Sequence, residues 1–251
     1  FLTPMDDERQ WYRYHHLFAD IIRNRLYQSI PEDQIIKLHA LASSWFLENG
    51  YLDDAVKHAC AVEEYDRVIR IIENNGINLI ASGEMKTLSD WIAKLPDSIQ
   101  NKSIAVLRLK FWILAFSGRI ENGEPLFENI DHLLASLEQP TSLSAQSIKG
   151  EVLIFRGIQA HYRFKFDQGI EYCEHALELI PEIPQTSITR GLAFYVLGDL
   201  FREKGEFGKA EEKFLATDKI PLDYKSRIQT KWCLAVIANI RGQLRVVAKL
   251  Y

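Results

Sequence analysis

The sequence predicts an all-α protein built from antiparallel helix pairs, with a short β-hairpin at its N-terminus. Tight-turn glycines recur between amphipathic segments, and the Pro and Gly residues fall between helical runs instead of inside them. Sustained period-two alternation is absent after the first 30 residues. With 47% apolar and 25% charged residues among 251, the chain can bury a large core, which excludes intrinsic disorder.

The N-terminal segment differs in pattern from the rest of the chain. Two short apolar and aromatic runs, residues 1–5 and 11–14, flank a polar, mostly acidic turn. From His15 to about Tyr27 the apolar residues take helical spacing, and Pro31 suits the first turn of the next helix. We therefore expect a β-hairpin over residues 1–14, followed by helices.

Glycine junctions recur along the rest of the chain. Each follows a helical run and precedes a second amphipathic run, and together they are Gly50, Gly83, Gly118, Gly205 and Gly242. Their separations are 33, 35, 87 and 37 residues, and the gap of 87 leaves room for one more turn at residues 164–166. A left-handed residue ends the first helix of a tight helix pair, and Gly adopts that conformation at little cost. The spacing predicts six helix pairs.

One unit, residues 191–223, matches a known repeat pattern at seven offsets. The matching residues are Leu197, Gly198, Phe201, Gly205, Phe207, Ala210 and Phe214. The unit before it is looser and lies 41 residues away instead of ~34, but it keeps Gly157, Phe166, Gly169, Ala176 and Pro181. These units resemble tetratricopeptide repeats, which implies a right-handed helical solenoid. The alternative is a plain helical bundle whose glycines happen to cap helices.

A second resemblance covers the N-terminal part of the chain. Residues 6–20, residues 38–45, Asn49-Gly50 and residues 53–59 resemble a junction in the large MalT-like regulators of the LuxR class. In that family a nucleotide-binding domain of the STAND type leads to a winged helix, then to tetratricopeptide-like repeats and a DNA-binding helix-turn-helix. The resemblance implies that residues 1–30 end a winged-helix domain and that residues 31–251 form the repeat array. Kinase-like or other STAND proteins with similar arrays are alternative parents.

The resemblance also implies what lies outside this chain. No initiator Met is present, and no GxxxxGK[ST] loop occurs, so we expect an internal fragment whose parent binds ATP in an upstream domain. We expect no cofactor in this segment itself. The net charge of −4 disfavours direct nucleic acid binding, and the parent's DNA-binding helices would follow residue 251.

Cysteine content and hydropathy indicate a cytoplasmic protein. The chain has three cysteines, which lie far apart and form no metal-binding spacing, as is typical of a reducing compartment. Its most apolar stretch, residues 104–116, contains Arg108 and Lys110 and is shorter than a membrane span of roughly 20 residues. No membrane partner is expected.

Neither catalysis nor metal binding is predicted. The seven His residues are scattered over different helices without metal-ligand spacing, and no nucleophile, acid or base constellation stands out. Burial as small apolar groups is the expected role of Cys60 and Cys173. We interpret the chain as not an enzyme, with any ATPase activity residing in a domain outside this segment.

The first helices of the pairs carry the candidate binding residues. In tetratricopeptide arrays these helices line the concave groove, and the residues at groove offsets are Arg108, Trp112, Ile154, His161, Tyr195, Asp199, Arg202, Trp232 and Asn239. Aromatic faces mixed with hydrogen-bonding groups suit a small polar ligand or a peptide. The alternative is that the aromatic rings pack between repeats.

Two functional hypotheses follow from these patterns. The first is a sensor arm of a MalT-like transcriptional regulator that binds a small inducer or a regulatory protein. The second is a constitutive tetratricopeptide scaffold for protein–protein interaction.

Overall fold

The computed structural model of the chain describes residues 2–4, 7, 12–137, 143–217, 224–243 and 246–247. The chain divides into two compact units, residues 1–100 and residues 101–251, and each is described by itself. The predicted domain boundary between residues 30 and 31 stays a prediction.

Unit 1 begins with the predicted hairpin. Strand β1 (Leu2–Pro4) pairs antiparallel with β2 (Tyr12–Tyr14), and Leu2 lies opposite Tyr14. Most of the polar turn lies outside the described residues. The helices that follow are α1 (His16–Ser29), α2 (Glu32–Glu48), α3 (Leu52–Ala61), α4 (Tyr65–Ser82), α5 (Met85–Ala93) and the short α6 (Asp97–Gln100).

All of the described secondary structure in unit 2 is helical. Its α-helices are α7 (Ile104–Phe116), α8 (Glu124–Ala135), α9 (Leu143–Tyr162), α10 (Phe166–Leu179), α11 (Ser187–Glu203), α12 (Phe207–Thr217) and α13 (Tyr224–Ile240). Two 3-10 turns, Ile120–Gly123 and Pro184–Thr186, precede α8 and α11. Ser103 caps α7, since its hydroxyl accepts a hydrogen bond from the Val106 backbone amide at 3.3 Å.

The turns confirm the predicted helix pairs. All five junction glycines have positive φ, from 67° at Gly118 to 85° at Gly83. At the turn without a glycine, Phe164 takes the left-handed conformation with φ 57°, and α10 starts two residues later. The pairs are α2–α3, α4–α5, α7–α8, α9–α10 and α11–α12, and α13 is the first helix of the sixth. The rest of that pair falls mostly outside the described residues.

Close helix approach explains two of the glycines inside the helices of unit 2, Gly157 and Gly198. A Cβ built on Gly198 of α11 would lie 2.7 Å from the ring of Phe214 on α12. A Cβ on Gly157 of α9 would lie 2.5 Å from the Cys173 Sγ on α10. In these two pairs one helix carries a glycine at the contact, which lets the helices approach closely, as in tetratricopeptide repeats. The fold is an all-α, tetratricopeptide-like helical repeat with an N-terminal hairpin, and its handedness stays a prediction.

The core of unit 2 continues across successive pairs. One buried cluster joins α9 through α13 and contains the fully buried Cys173, Ala210 and Phe214. A second group of rings, Phe111, Phe127 and Phe155, connects α7, α8 and α9 at centroid distances of 4.9 and 5.5 Å. Burying one face of every helix in this way leaves the first helices free to present their other side chains at a common surface.

Candidate functional site

The predicted binding residues lie on four first helices of unit 2: α7, α9, α11 and α13. The structure brings three of them together, since Asp199 contacts His161 across α9 and α11 and Arg202 along α11. Other predicted residues contact side chains outside the predicted set.

Arg108 and Trp112 on α7 converge on Glu151 of α9. The Arg108 Nε donates to one carboxylate oxygen at 2.6 Å, and the Trp112 indole Nε1 donates to the other at 2.7 Å. The Glu151 side chain is only 3% exposed, whereas that of Arg108 is 33% exposed. A buried carboxylate needs such donors, because an unpaired charge is costly in a low-dielectric interior.

His161, Asp199 and Arg202 form the next contact, between α9 and α11. The His161 Nδ1 lies 3.1 Å from one Asp199 oxygen, and Arg202 donates to the other through Nε at 3.0 Å and through a terminal nitrogen at 2.6 Å. Burial opposes the Arg202 charge, but the hydrogen bonds and charge of Asp199 outweigh it, so the pKa of Arg202 is raised. Arg202 also pairs with the neighbouring Glu203 at 2.6 Å.

Tyr195 connects α11 to α13. Its hydroxyl lies 3.9 Å from the Sγ of the buried Cys233, and its ring lies 5.7 Å from that of Phe214, centroid to centroid. Burial raises the pKa of the Cys233 thiol, and the Tyr195 hydrogen bond only partly opposes this. Cys233 is therefore a neutral thiol at physiological pH. Burial likewise raises the pKa of Cys173, in agreement with a buried, unreactive role.

These contacts repeat along the chain at about one repeat length. Trp112 and Glu151 are 39 residues apart, and the pairs His161–Asp199 and Tyr195–Cys233 are each 38 apart. We call this set, with Arg108 and Arg202, the polar ladder. It links each first helix of unit 2 to the next from α7 to α13. Several polar groups predicted to meet a ligand thus also make contacts between consecutive repeats.

The remaining candidates differ in their exposure. Trp232, next to Cys233 in the sequence, is 54% exposed, and Asn239 is exposed at the penultimate position of α13. Ile154 is fully buried in the core, so it is not a groove residue. Trp232 is the candidate with the largest aromatic area open to solvent.

Sequence reasoning missed the ladder partners Glu151 and Cys233. Their signal was present, because each lies 38 or 39 residues after a residue that the groove pattern had selected. A search for polar residues one repeat length apart on first helices would have selected both as candidates, without showing that they form these contacts. The groove offsets alone did not, because they describe exposure to a ligand rather than contact between repeats.

A second histidine contact was also missed, in unit 1. The Nδ1 atoms of His39 on α2 and His58 on α3 lie 2.9 Å apart, and the Phe46 ring stacks on His58 at 5.4 Å. The two residues lie 11 positions before and 8 after Gly50, so they face each other across an antiparallel pair. The sequence signal for this contact was that the two histidines lie at roughly equal distances, in residues, on either side of a tight turn.

Three general features bear on what the site can do. Within the described residues, no group of three or more His, Cys, Asp or Glu side chains is placed to hold a metal ion. None of the described helices combines the length and apolar character needed to cross a bilayer. A shallow depression at the α9–α10 turn is lined by residues 164–168 and Lys204. None of these lining residues belongs to the predicted groove set.

Comparisons with known proteins agree with the N-terminal resemblance. Residues 1–34 match the family described as the MalT winged helix domain. The HTH-type transcriptional regulator MalT of Vibrio cholerae is 24% identical over 234 residues, which cover 93% of this chain and 25% of that protein. The serine/threonine-protein kinase PknK of Mycobacterium tuberculosis is 27% identical over 191 residues, or 74% of this chain and 17% of the kinase. The chain thus spans a quarter or less of the length of these relatives.

Two solved structures show weaker similarity. MamA from Desulfovibrio magneticus aligns with a TM-score of 0.46 and 16% identity over 74% of this chain and 94% of its own. PilF of Pseudomonas aeruginosa aligns with a TM-score of 0.48 and 14% identity over 87% and 89%. The fold assignment rests instead on the helix pairs and turns of this chain. With residues 1–34 matching the MalT winged helix domain and 93% of the chain similar to MalT, the chain is similar to the part of MalT that these matches cover, and it carries a helical repeat region.

Proposed function

We propose that this chain is the sensor and interaction arm of a MalT-like transcriptional regulator. The observation that carries the proposal is the similarity to a transcriptional regulator over 93% of the chain, combined with a repeat whose first helices share a polar and aromatic surface. Such a surface suits a small inducer or a regulatory protein. The parent would act in the cytoplasm, bind ATP in an upstream domain and bind DNA through other residues.

The polar ladder supports a switching role for this surface. Two of its groups are partly exposed, with side-chain exposures of 28% for His161 and 25% for Arg202. A ligand that hydrogen-bonds these groups competes with contacts between consecutive first helices. Binding is then coupled to the packing of neighbouring repeats, provided that the ligand has unequal affinity for the two arrangements.

The first experiment reads the parent gene on both sides of this segment. A phosphate-binding GxxxxGK[ST] loop upstream and a helix-turn-helix downstream would support the regulator, and the absence of both would overturn it. A second experiment measures transcription by the full-length parent protein with and without inducer. It compares the unsubstituted protein with the Asp199→Asn variant. Asn keeps the size of the side chain but weakens both ladder contacts, so we expect an altered inducer response with unchanged helicity.

The rival function is a constitutive tetratricopeptide scaffold without a switch. It predicts partner binding that is independent of any small molecule and unaffected by Asp199→Asn. The same transcription measurement therefore separates the two functions.

A further inference from the structure

We propose that the His39–His58 contact is a proton-sensitive link between α2 and α3, which holds while the pair carries at most one positive charge and breaks when both imidazoles are protonated. The two Nδ1 atoms are 2.9 Å apart, a hydrogen-bond distance, and both side chains are half-buried between the helices. This proposal concerns unit 1 and is independent of the ligand surface proposed for unit 2.

Counting the ring protons gives the states of the pair. When both rings are neutral, one Nδ1 carries a proton and donates to the lone pair of the other Nδ1. A first added proton goes to the Nε2 of the donor ring, which keeps the hydrogen bond and makes it charge-assisted. A second added proton must take the lone pair that accepts this bond. Two N–H groups and two positive charges then face each other at hydrogen-bond distance.

The surroundings of the pair oppose the doubly charged state. Burial lowers the pKa of His58 most, and the neighbouring His39 lowers it further. On α3 itself, Asp54 acts in the opposite direction and Lys57 acts in the same direction. From α4, Arg67 donates to the Ala40 carbonyl oxygen at 2.8 Å, directly beside His39 in the chain.

The Arg67 charge is itself paired, because its Nε lies 2.8 Å from a carboxylate oxygen of Glu64. The Phe46 ring on α2 favours a charged His58 through a cation–π interaction, but such contacts are weak at partly exposed sites. The net effect of the neighbouring groups is to keep His58 neutral.

The sign of the pH dependence follows from the lowered pKa. The unfolded or locally opened segment binds protons on His58 as the pH falls through the ordinary value of 6.5, whereas the closed helix pair does not. Stability of the pair is therefore fully present above that pH and is lost as the pH falls from there toward the folded-state pKa. Each unit of lowering changes the opening equilibrium about tenfold.

Hydrogen exchange of the 251-residue chain at pH 7.5 and pH 5.5, corrected for the intrinsic exchange rates, tests the proposal. We expect protection of the α2 and α3 amides to fall several-fold at the lower pH, with less change in α11 and α12. His58→Gln and His39→Gln should each remove this local pH dependence. His175→Gln, at an exposed position on α10, is the matched control and should keep the pH dependence of the unsubstituted chain.

Imidazole nitrogen chemical shifts of the unsubstituted chain provide a readout that does not depend on the variants folding. We expect them to show one Nδ1 donating to the other at pH 7.5, and the pKa of His58 to lie below its ordinary value. A His58 pKa at or above the ordinary value of 6.5 would overturn the proposal. Equal pH dependence of α2 and α3 amide protection in the unsubstituted chain, His58→Gln and His39→Gln would also overturn it. If Ni²⁺ stabilises the unsubstituted chain but neither variant, the pair is a metal-binding site, and that result would equally refute the proposal.

Discussion

At the scale of single residues, Glu151 shows how one carboxylate connects two helices of unit 2. Its two oxygens receive one donor each from the α7 side chains Arg108 and Trp112. Because the acceptor is nearly fully buried, losing it leaves an indole N–H and a guanidinium without their partner. The contact therefore contributes both to stability and to the geometry of the surface proposed to bind a ligand.

We expect Glu151→Ala to lower the free energy of unfolding by about 2–3 kcal/mol, less than the full cost of breaking a fully buried pair because Arg108 is one-third exposed. Urea denaturation followed by circular dichroism measures the change. Glu128→Ala, at an exposed position on α8, is the control and should stay within about 0.5 kcal/mol of the parent. A loss below about 0.5 kcal/mol for Glu151→Ala would contradict the arrangement.

At the scale of helices, the pairs depend on a few positions where the backbones approach closely. Gly198 and Ala210 occupy such positions in α11 and α12, and the Phe214 ring fills the space that a Gly198 side chain would need. Helix propensity alone would favour Ala at Gly198, so packing must decide the residue there. This conflict makes glycine substitutions informative.

Replacing two glycines by Ala should give opposite results. Gly198→Ala places a Cβ 2.7 Å from the Phe214 ring, so we expect a loss of ~1–3 kcal/mol despite the better helix propensity. Gly208→Ala on α12 meets nothing closer than 3.8 Å, at the flexible end of Arg241, and should stabilise by about 0.5–1 kcal/mol. Thermal melts of both variants would measure this, and a loss of stability in the second would show that its environment is tighter than described.

Overpacking at Ala210 should also be costly. The residue is fully buried between α11 and α12, so Ala210→Leu should lower stability by ~1–3 kcal/mol. Ala135→Leu, exposed at the end of α8, is the control and should leave the melting temperature nearly unchanged. An unchanged melting temperature for Ala210→Leu would mean that the site can expand without strain.

At the scale of the whole chain, repetition places distant residues on neighbouring helices. Tyr195 and Trp232 are 37 positions apart, and each lies on a first helix. The structure gives the two rings different surroundings, since Tyr195 packs beside Phe214 and Trp232 is 54% exposed. Stability and ligand binding can therefore be separated by substituting each ring.

We expect the double variant Tyr195→Ala with Trp232→Ala to abolish the inducer response of the full-length parent. Trp232→Ala alone should weaken the response without lowering helicity, whereas Tyr195→Ala should also destabilise unit 2. Transcription assays paired with circular dichroism measure both effects. Loss of helicity in Trp232→Ala would assign its ring to packing, and full response in a folded double variant would place the binding surface elsewhere.

The fold class could be determined from the sequence alone, because its signals are local. Glycines such as Gly205 mark turns through backbone conformation, which depends on the residue itself, and helical periodicity needs only neighbouring residues. The turn at Phe164 has no glycine, so it could be located only from the regular spacing of the other turns. Tertiary structure decided which polar groups meet, as Glu151 with Trp112 and His39 with His58. Those contacts depend on the register and approach of helices distant in sequence, and a hydrogen bond forms or fails over less than 1 Å, which no local pattern encodes.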